Sequence, residues 1–69
     1  ERELAEAIDR FLRTLPEREC SMFLRRYWYV DSVQLIAARY AIKENTAKSI
    51  LFRTREKLRR YLAGEGIIV

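Results

Sequence analysis

Between Lys43 and Arg60 the chain reads KENTAKSILFRTREKLRR, a run rich in amides, hydroxyls and cations. Wound at about 100° per residue, Asn45, Thr46, Ser49, Arg53, Glu56, Lys57 and Arg60 fall on one side, with Lys48 and Arg59 on its flanks. Phe52 lies nearer that side than the opposite one. Such a surface is suited to recognition rather than bond making. An asparagine amide can pair with adenine, an arginine or lysine with guanine, and an apolar group can touch a thymine methyl. Phe52 has two readings: a ring lying flat along the surface under arginine stems, or a ring against a thymine methyl or a sugar in a duplex groove.

These side chains need a scaffold, and the other side of the same segment supplies its inner face. Ala47, Leu51, Thr54, Leu58 and Leu62 share that side, with Tyr61 at its edge and Ile50 beside it. The spacing predicts a helix from about Glu44 to about Leu62, stopping at Ala63-Gly64, with Gly64 free to turn left-handed. Upstream, Leu4, Ile8, Phe11 and Leu12 recur at helical spacing within residues 2–13. Leu15-Pro16 ends that helix, because proline pushes the preceding residue out of the helical region. Proline also suits the first turn of a second helix, from about Pro16 to about Trp28, and Glu17 and Glu19 favour its positive end. Cys20, Phe23, Leu24 and Tyr27 are its expected inner face. Asp31 or Ser32 can cap a short third helix whose buried side is Val33, Ile36, Ala37 and Tyr40; with Asp31 as the cap, Gln34 stands in the capping-box position. The tail GEGIIV has no assigned structure; Ile67 and Ile68 either pack back or fray.

The expected fold class is therefore all-α: a small four-helix domain occupying residues 1–69. Its last two helices, about residues 32–62, meet across Ala41-Ile42-Lys43 as a helix-turn-helix. The small Ala37 allows a close crossing, Tyr40 and Ile42 point inward at the turn, and Ala47 with Ile50 or Leu51 closes the core. The first turn of the second helix then enters a duplex groove. Asn45, Thr46, Lys48 and Ser49 lead, and Phe52 and Arg53 follow one turn later. Arg55, Lys57, Arg59 and Arg60 meet phosphates or remain a solvated surface, Glu56 pairing with Arg60 at i,i+4.

Composition agrees and excludes several alternatives. The 69 residues are 49% hydrophobic and 35% charged, with two glycines and one proline, which favours a folded helical chain. There is no histidine and a single cysteine, Cys20, so no intrachain disulfide, no Cys/His zinc site and no Ser-His or Cys-His nucleophile can be assembled. Cys20 reads as a small core residue. No acid–base pair accompanied by a nucleophile or metal set is present, so no enzyme and no cofactor are expected. No apolar run reaches the roughly 20 residues of a membrane helix, no secretory leader is recognisable, and the reduced cytoplasm is the expected compartment. The chain opens on Glu1, as a piece of a longer protein would. Its net charge of +4 is uneven: residues 1–42 hold seven basic and seven acidic groups, whereas residues 43–62 hold seven basic and two acidic. A neutral body with one cationic segment suits a polyanionic partner.

The run LPERECSMFLRRYWYVDSVQLIAARYAIKENTAKSILFRTREKL, Leu15 to Leu58, resembles region 4 of the sigma-70-family sigma factors of bacterial RNA polymerase, the extracytoplasmic-function type in particular. Its marks are LPERE opening a helix, LRRY before the turn, IAARYAIKENTAKS through the helix-turn-helix, and FRTREKL. The resemblance implies a four-helix domain that binds the promoter −35 element as double-stranded DNA. It also implies docking on the beta-subunit flap of RNA polymerase, with an anti-sigma factor as a possible further partner. Positions matching Lys48, Ser49, Phe52 and Arg53 commonly face DNA in the family, and those matching Asn45 and Thr46 lie at the entering end. The factor's promoter-opening domain is not in this sequence. Four positions depart from the pattern: Ala41 replaces a turn glycine, Lys43 a capping serine, Ile50 a basic residue, and Leu35 the glutamate of Ser-x-x-Glu. If residue 41 needs a left-handed backbone, alanine there costs roughly 1 kcal/mol.

Two other readings accompany this one. The first is the DNA-binding output domain of another transcription regulator, against which LPERE argues. The second is a protein-interaction module using Tyr27-Trp28-Tyr29, which cannot all be buried on one helix face. The expectation for that run is Trp28 in the core and Tyr29 half exposed at a helix end.

Overall fold

The computed structural model describes residues 2–67. Four helices follow in order: α1 Arg2–Leu12, α2 Glu17–Tyr27, α3 Val33–Arg39 and α4 Glu44–Gly64. The fold is all-helical, as expected. The 21-residue α4 is the spine, since α1, α2 and α3 each pack on it and α2 also packs on α3.

Two small cores lie along this spine. Met22, Ile36, Ala37, Ala47 and Leu51 form the first, with Val33, Tyr40, Ile42 and Ile50 packed against it. Burying a side chain the size of Met22 or Ile36 stabilises by about 1.5–3 kcal/mol. The second core joins α1 to the end of α4. There Ala7, Phe11 and Leu62 are buried, and the rings of Phe11 and Tyr61 lie 5.6 Å apart between centroids. An Arg10–Glu65 ion pair at 3.0 Å closes that end.

Thr54 lies between these cores as the one buried polar residue among those described, and its hydroxyl donates to the Ile50 carbonyl at 2.9 Å. The bond satisfies the hydroxyl within its own helix, so an apolar neighbourhood tolerates it. On α2 the buried residues are Met22 and Phe23, not the face centred on Cys20 and Leu24. Cys20 and Leu24 are half-buried and Tyr27 is exposed. The expected face is turned by roughly a quarter of the helix, because α2 packs mainly on α3 and α4.

Each connection has a physical cause. Ser32, not Asp31, caps α3, its hydroxyl accepting from the Leu35 amide at 3.0 Å. Asp31 is drawn back onto the last turn of α2 instead. Its amide bonds the Arg25 carbonyl at 2.8 Å, its carboxylate pairs with Arg25 at 3.4 Å, and its carbonyl accepts from Arg26 at 3.1 Å. The chain between must turn sharply, and Val30 takes φ 60°. Left-handed backbone is costly for a β-branched residue, and the bonds at Asp31 hold it there.

At the end of α3, Ala41 sits at φ 56°. The Ile42 amide bonds the Ala37 carbonyl at 3.0 Å and the Ala41 amide bonds the Ala38 carbonyl at 3.3 Å. These are the paired bonds of a Schellman ending, in which glycine is the favoured residue at the position Ala41 occupies. Replacing Ala41 by glycine is expected to stabilise the chain by about 1 kcal/mol and raise its melting temperature by about 4–8 °C. An unchanged or lower midpoint in a circular-dichroism melt would refute that strain. The same ending recurs after α4, with Gly66 at φ 80° and the Ile67 amide on the Leu62 carbonyl at 2.8 Å. The left-handed residue is thus Gly66; Gly64 remains helical and α4 runs two residues past Leu62. Ile67 is half-buried, while the expectation for Ile68 lies outside the described residues.

Candidate nucleic-acid interface

α3 and α4 form the expected helix-turn-helix. Ala37 and Ala47 are both buried in the shared cluster, and two methyl side chains there let the helices approach closely. Tyr40 and Ile42 pack inward at the turn, as the sequence indicates. The Tyr40 hydroxyl also shares a hydrogen bond with Ser21, which ties the turn to α2. Lys43 holds the N-cap position of α4 with extended backbone and provides no side-chain cap. The first amides of α4 are therefore left open at the end where an anion is favoured.

The outer side of α4 carries the side chains that the sequence puts forward for recognition. Asn45, Thr46, Lys48, Ser49, Phe52 and Arg53 are all exposed. Among the described residues none of their side chains is engaged in a hydrogen bond or ion pair. Phe52 keeps 54% of its surface exposed, so it is no part of the core.

Arg55 and Lys57 stand apart from that group. The Arg55 guanidinium donates to the Tyr27 hydroxyl at 3.2 Å, and Lys57 reaches Glu19 at 3.5 Å. Residues two apart on a helix point about 160° away from each other. The two ends of α2 thus reach opposite flanks of α4, and α2 lies across the spine. Glu56 pairs with Arg59 at 2.5 Å, one residue short of the expected Arg60. That hydrogen bond, with the charges of Arg59, Arg60 and Arg55, holds the Glu56 carboxyl below the usual carboxylate range. Glu56 therefore stays ionised on the outer ridge well into mild acid, its charge offset by Arg59.

A second surface adjoins the flank of α4 on which Arg55 stands. An open groove of about 670 Å³ runs between α1, the end of α2 and α4, lined by Ile8, Leu12, Leu24, Tyr27, Trp28 and Leu58, among others. Trp28 is 75% exposed and Tyr29 65%, so Trp28 is not a core residue. Trp28 is the C-cap of α2, one residue past the helix, and its side chain lines the open groove rather than a closed core. The Tyr-Trp-Tyr run was the sequence signal for this surface; the groove itself depends on how α1 seats.

A basic, outward-facing helix braced by a shorter one across a tight turn defines a DNA-binding domain of the helix-turn-helix class. The family described as Sigma-70, region 4 matches residues 11–60, and the chain belongs to that family. Comparison with curated proteins and with solved structures found no match. Sigma region 4 is a DNA-binding domain of transcription, and it binds DNA and RNA polymerase. No helix among the described residues is long and apolar enough to cross a membrane.

Proposed function

We propose that this chain reads the −35 element of bacterial promoters as the last domain of an extracytoplasmic-function-type sigma factor, working in the cytoplasm at the nucleoid. The observation that carries the reading is the single outward ridge of Asn45, Thr46, Lys48, Ser49, Phe52 and Arg53, exposed and, among the described residues, with no side-chain hydrogen bond or ion pair. Asn45 and Thr46 enter the major groove first, Lys48, Ser49 and Arg53 reach base edges, and Phe52 meets a thymine methyl. Lys57 and Arg60 flank the groove at phosphates. Arg55, held by Tyr27, stands beside the ridge rather than on it. The domain positions polymerase and makes or breaks no bond itself.

The apolar groove beside Trp28 is the docking surface for the polymerase flap. It has the aromatic character of partner surfaces, and Tyr27 and Arg55 in its lining join it to the edge of the ridge at Phe52. An anti-sigma factor would compete for that groove.

Selection of bound sequences from random duplexes, with the domain tethered to its polymerase, tests the reading. A single enriched motif is expected. With about four phosphate contacts, the slope of log affinity against log salt is expected near −0.9 times four. Recovery of random sequence, or a slope close to zero, would overturn it.

A further inference from the structure

Phe52 lies on an exposed helix face, where an isolated phenylalanine ring turns freely about its outer torsion. A ring that turns freely discriminates poorly between bases; a ring held by a second layer of contacts discriminates better. Such a layer is present. Phe23, buried at 8% exposure, packs its ring 4.8 Å from that of Tyr27. The Tyr27 hydroxyl accepts from Arg55 at 3.2 Å, and the Arg55 guanidinium carbon lies 5.9 Å from the centroid of the Phe52 ring. These contacts run without a break from the core through α2 to the outer face of α4.

We infer that Arg55 is a positioning residue: anchored by Tyr27, its guanidinium braces the Phe52 ring and so sets which base step that ring can meet. The inference rests on the DNA reading above and refines it, because Arg55 then acts on DNA through Phe52 and not through a phosphate. Its guanidinium is engaged twice, by a hydrogen bond to Tyr27 and by its approach to the Phe52 ring, whereas Lys48 and Arg53 make no side-chain hydrogen bond or ion pair among the described residues. A guanidinium offers several donors in a rigid planar fork and a flat face, whereas a lysine ammonium is a compact point charge on a flexible stem and holds the two contacts less firmly. The brace also places the last residue of α2 in contact with the interface, although α2 itself enters no groove.

Two mild variants of the chain, Tyr27→Phe and Arg55→Lys, test this. Each keeps the net charge. Without DNA, the nuclear magnetic resonances of the Phe52 ring protons are expected to move in both variants. With DNA, the preference at the base pair opposite Phe52 is expected to fall about fourfold, the worth of one buried methyl group, with the salt slope unchanged. If Arg55 contacts a phosphate instead, Arg55→Lys keeps the wild-type preference and Arg55→Met lowers the slope by about 0.9. That pattern overturns the inference, as do Phe52 resonances that ignore Tyr27→Phe while DNA binding persists. A parent chain that binds no duplex at any salt refutes the DNA reading itself, a result distinct from either of those.

Discussion

Ile36→Ala is expected to cost about 2–5 kcal/mol of folding stability. Ile36 is completely buried and touches the cluster shared by α2, α3 and α4, through Met22, Ala37, Ala47 and Leu51. In 69 residues, a total stability of about 3–10 kcal/mol is the ordinary range. The loss therefore takes a large part of the whole, and much of the population should unfold near physiological temperature. Leu35 supplies the comparison, being the preceding residue and 52% exposed. Leu35→Ala is expected to change stability by no more than about 0.5 kcal/mol. Urea unfolding followed by circular dichroism reads both. Similar losses in the two variants would mean that α3 is rotated from the orientation described.

The second large effect belongs to Arg53. It is exposed on the ridge one turn beyond Ser49, with no ion-pair partner among the described residues. If it reads a base edge, Arg53→Ala costs about 1–3 kcal/mol of binding and relaxes preference at one position. Loss of the same size on every sequence, with a salt slope smaller by about 0.9, would make it a phosphate contact instead. Arg53→Lys separates the two, since lysine keeps the charge but not the paired donors that grip guanine. An affinity indifferent to loss of both Lys48 and Arg53 would remove α4 from the interface.

Much of this was legible in the chain because α4 is long and its pattern one-sided. Ala47, Leu51, Thr54 and Leu62 recur with a period that admits only one inward face, and all four are buried. The outer residues follow by subtraction. Pro16 and Ser32 marked helix starts through chemistry local to one or two residues. The short α2 was harder, because apolar residues lie around much of its circumference and periodicity alone does not choose among Met22, Phe23, Cys20 and Leu24. That choice is made by which helices α2 meets, a tertiary fact. Trp28 failed for the same reason, since a large aromatic reads as core until the neighbour that would cover it is known to be elsewhere. The partners of Arg55 and Lys57 lie 28 and 38 positions away along the chain. No local pattern encodes such pairings.

The division of labour on α4 has an evolutionary consequence. Ala47, Leu51, Thr54 and Leu62 hold the molecule together while Asn45, Lys48, Ser49 and Arg53 are exposed on the other side of the same rod. Drift at the projecting positions leaves folding nearly untouched, so under the proposed DNA reading a lineage can acquire new target sequences by single exchanges and still keep a viable scaffold. Arg55 is the exception, because its exchange would disturb a neighbour as well as itself, and diversification should pass through it least often.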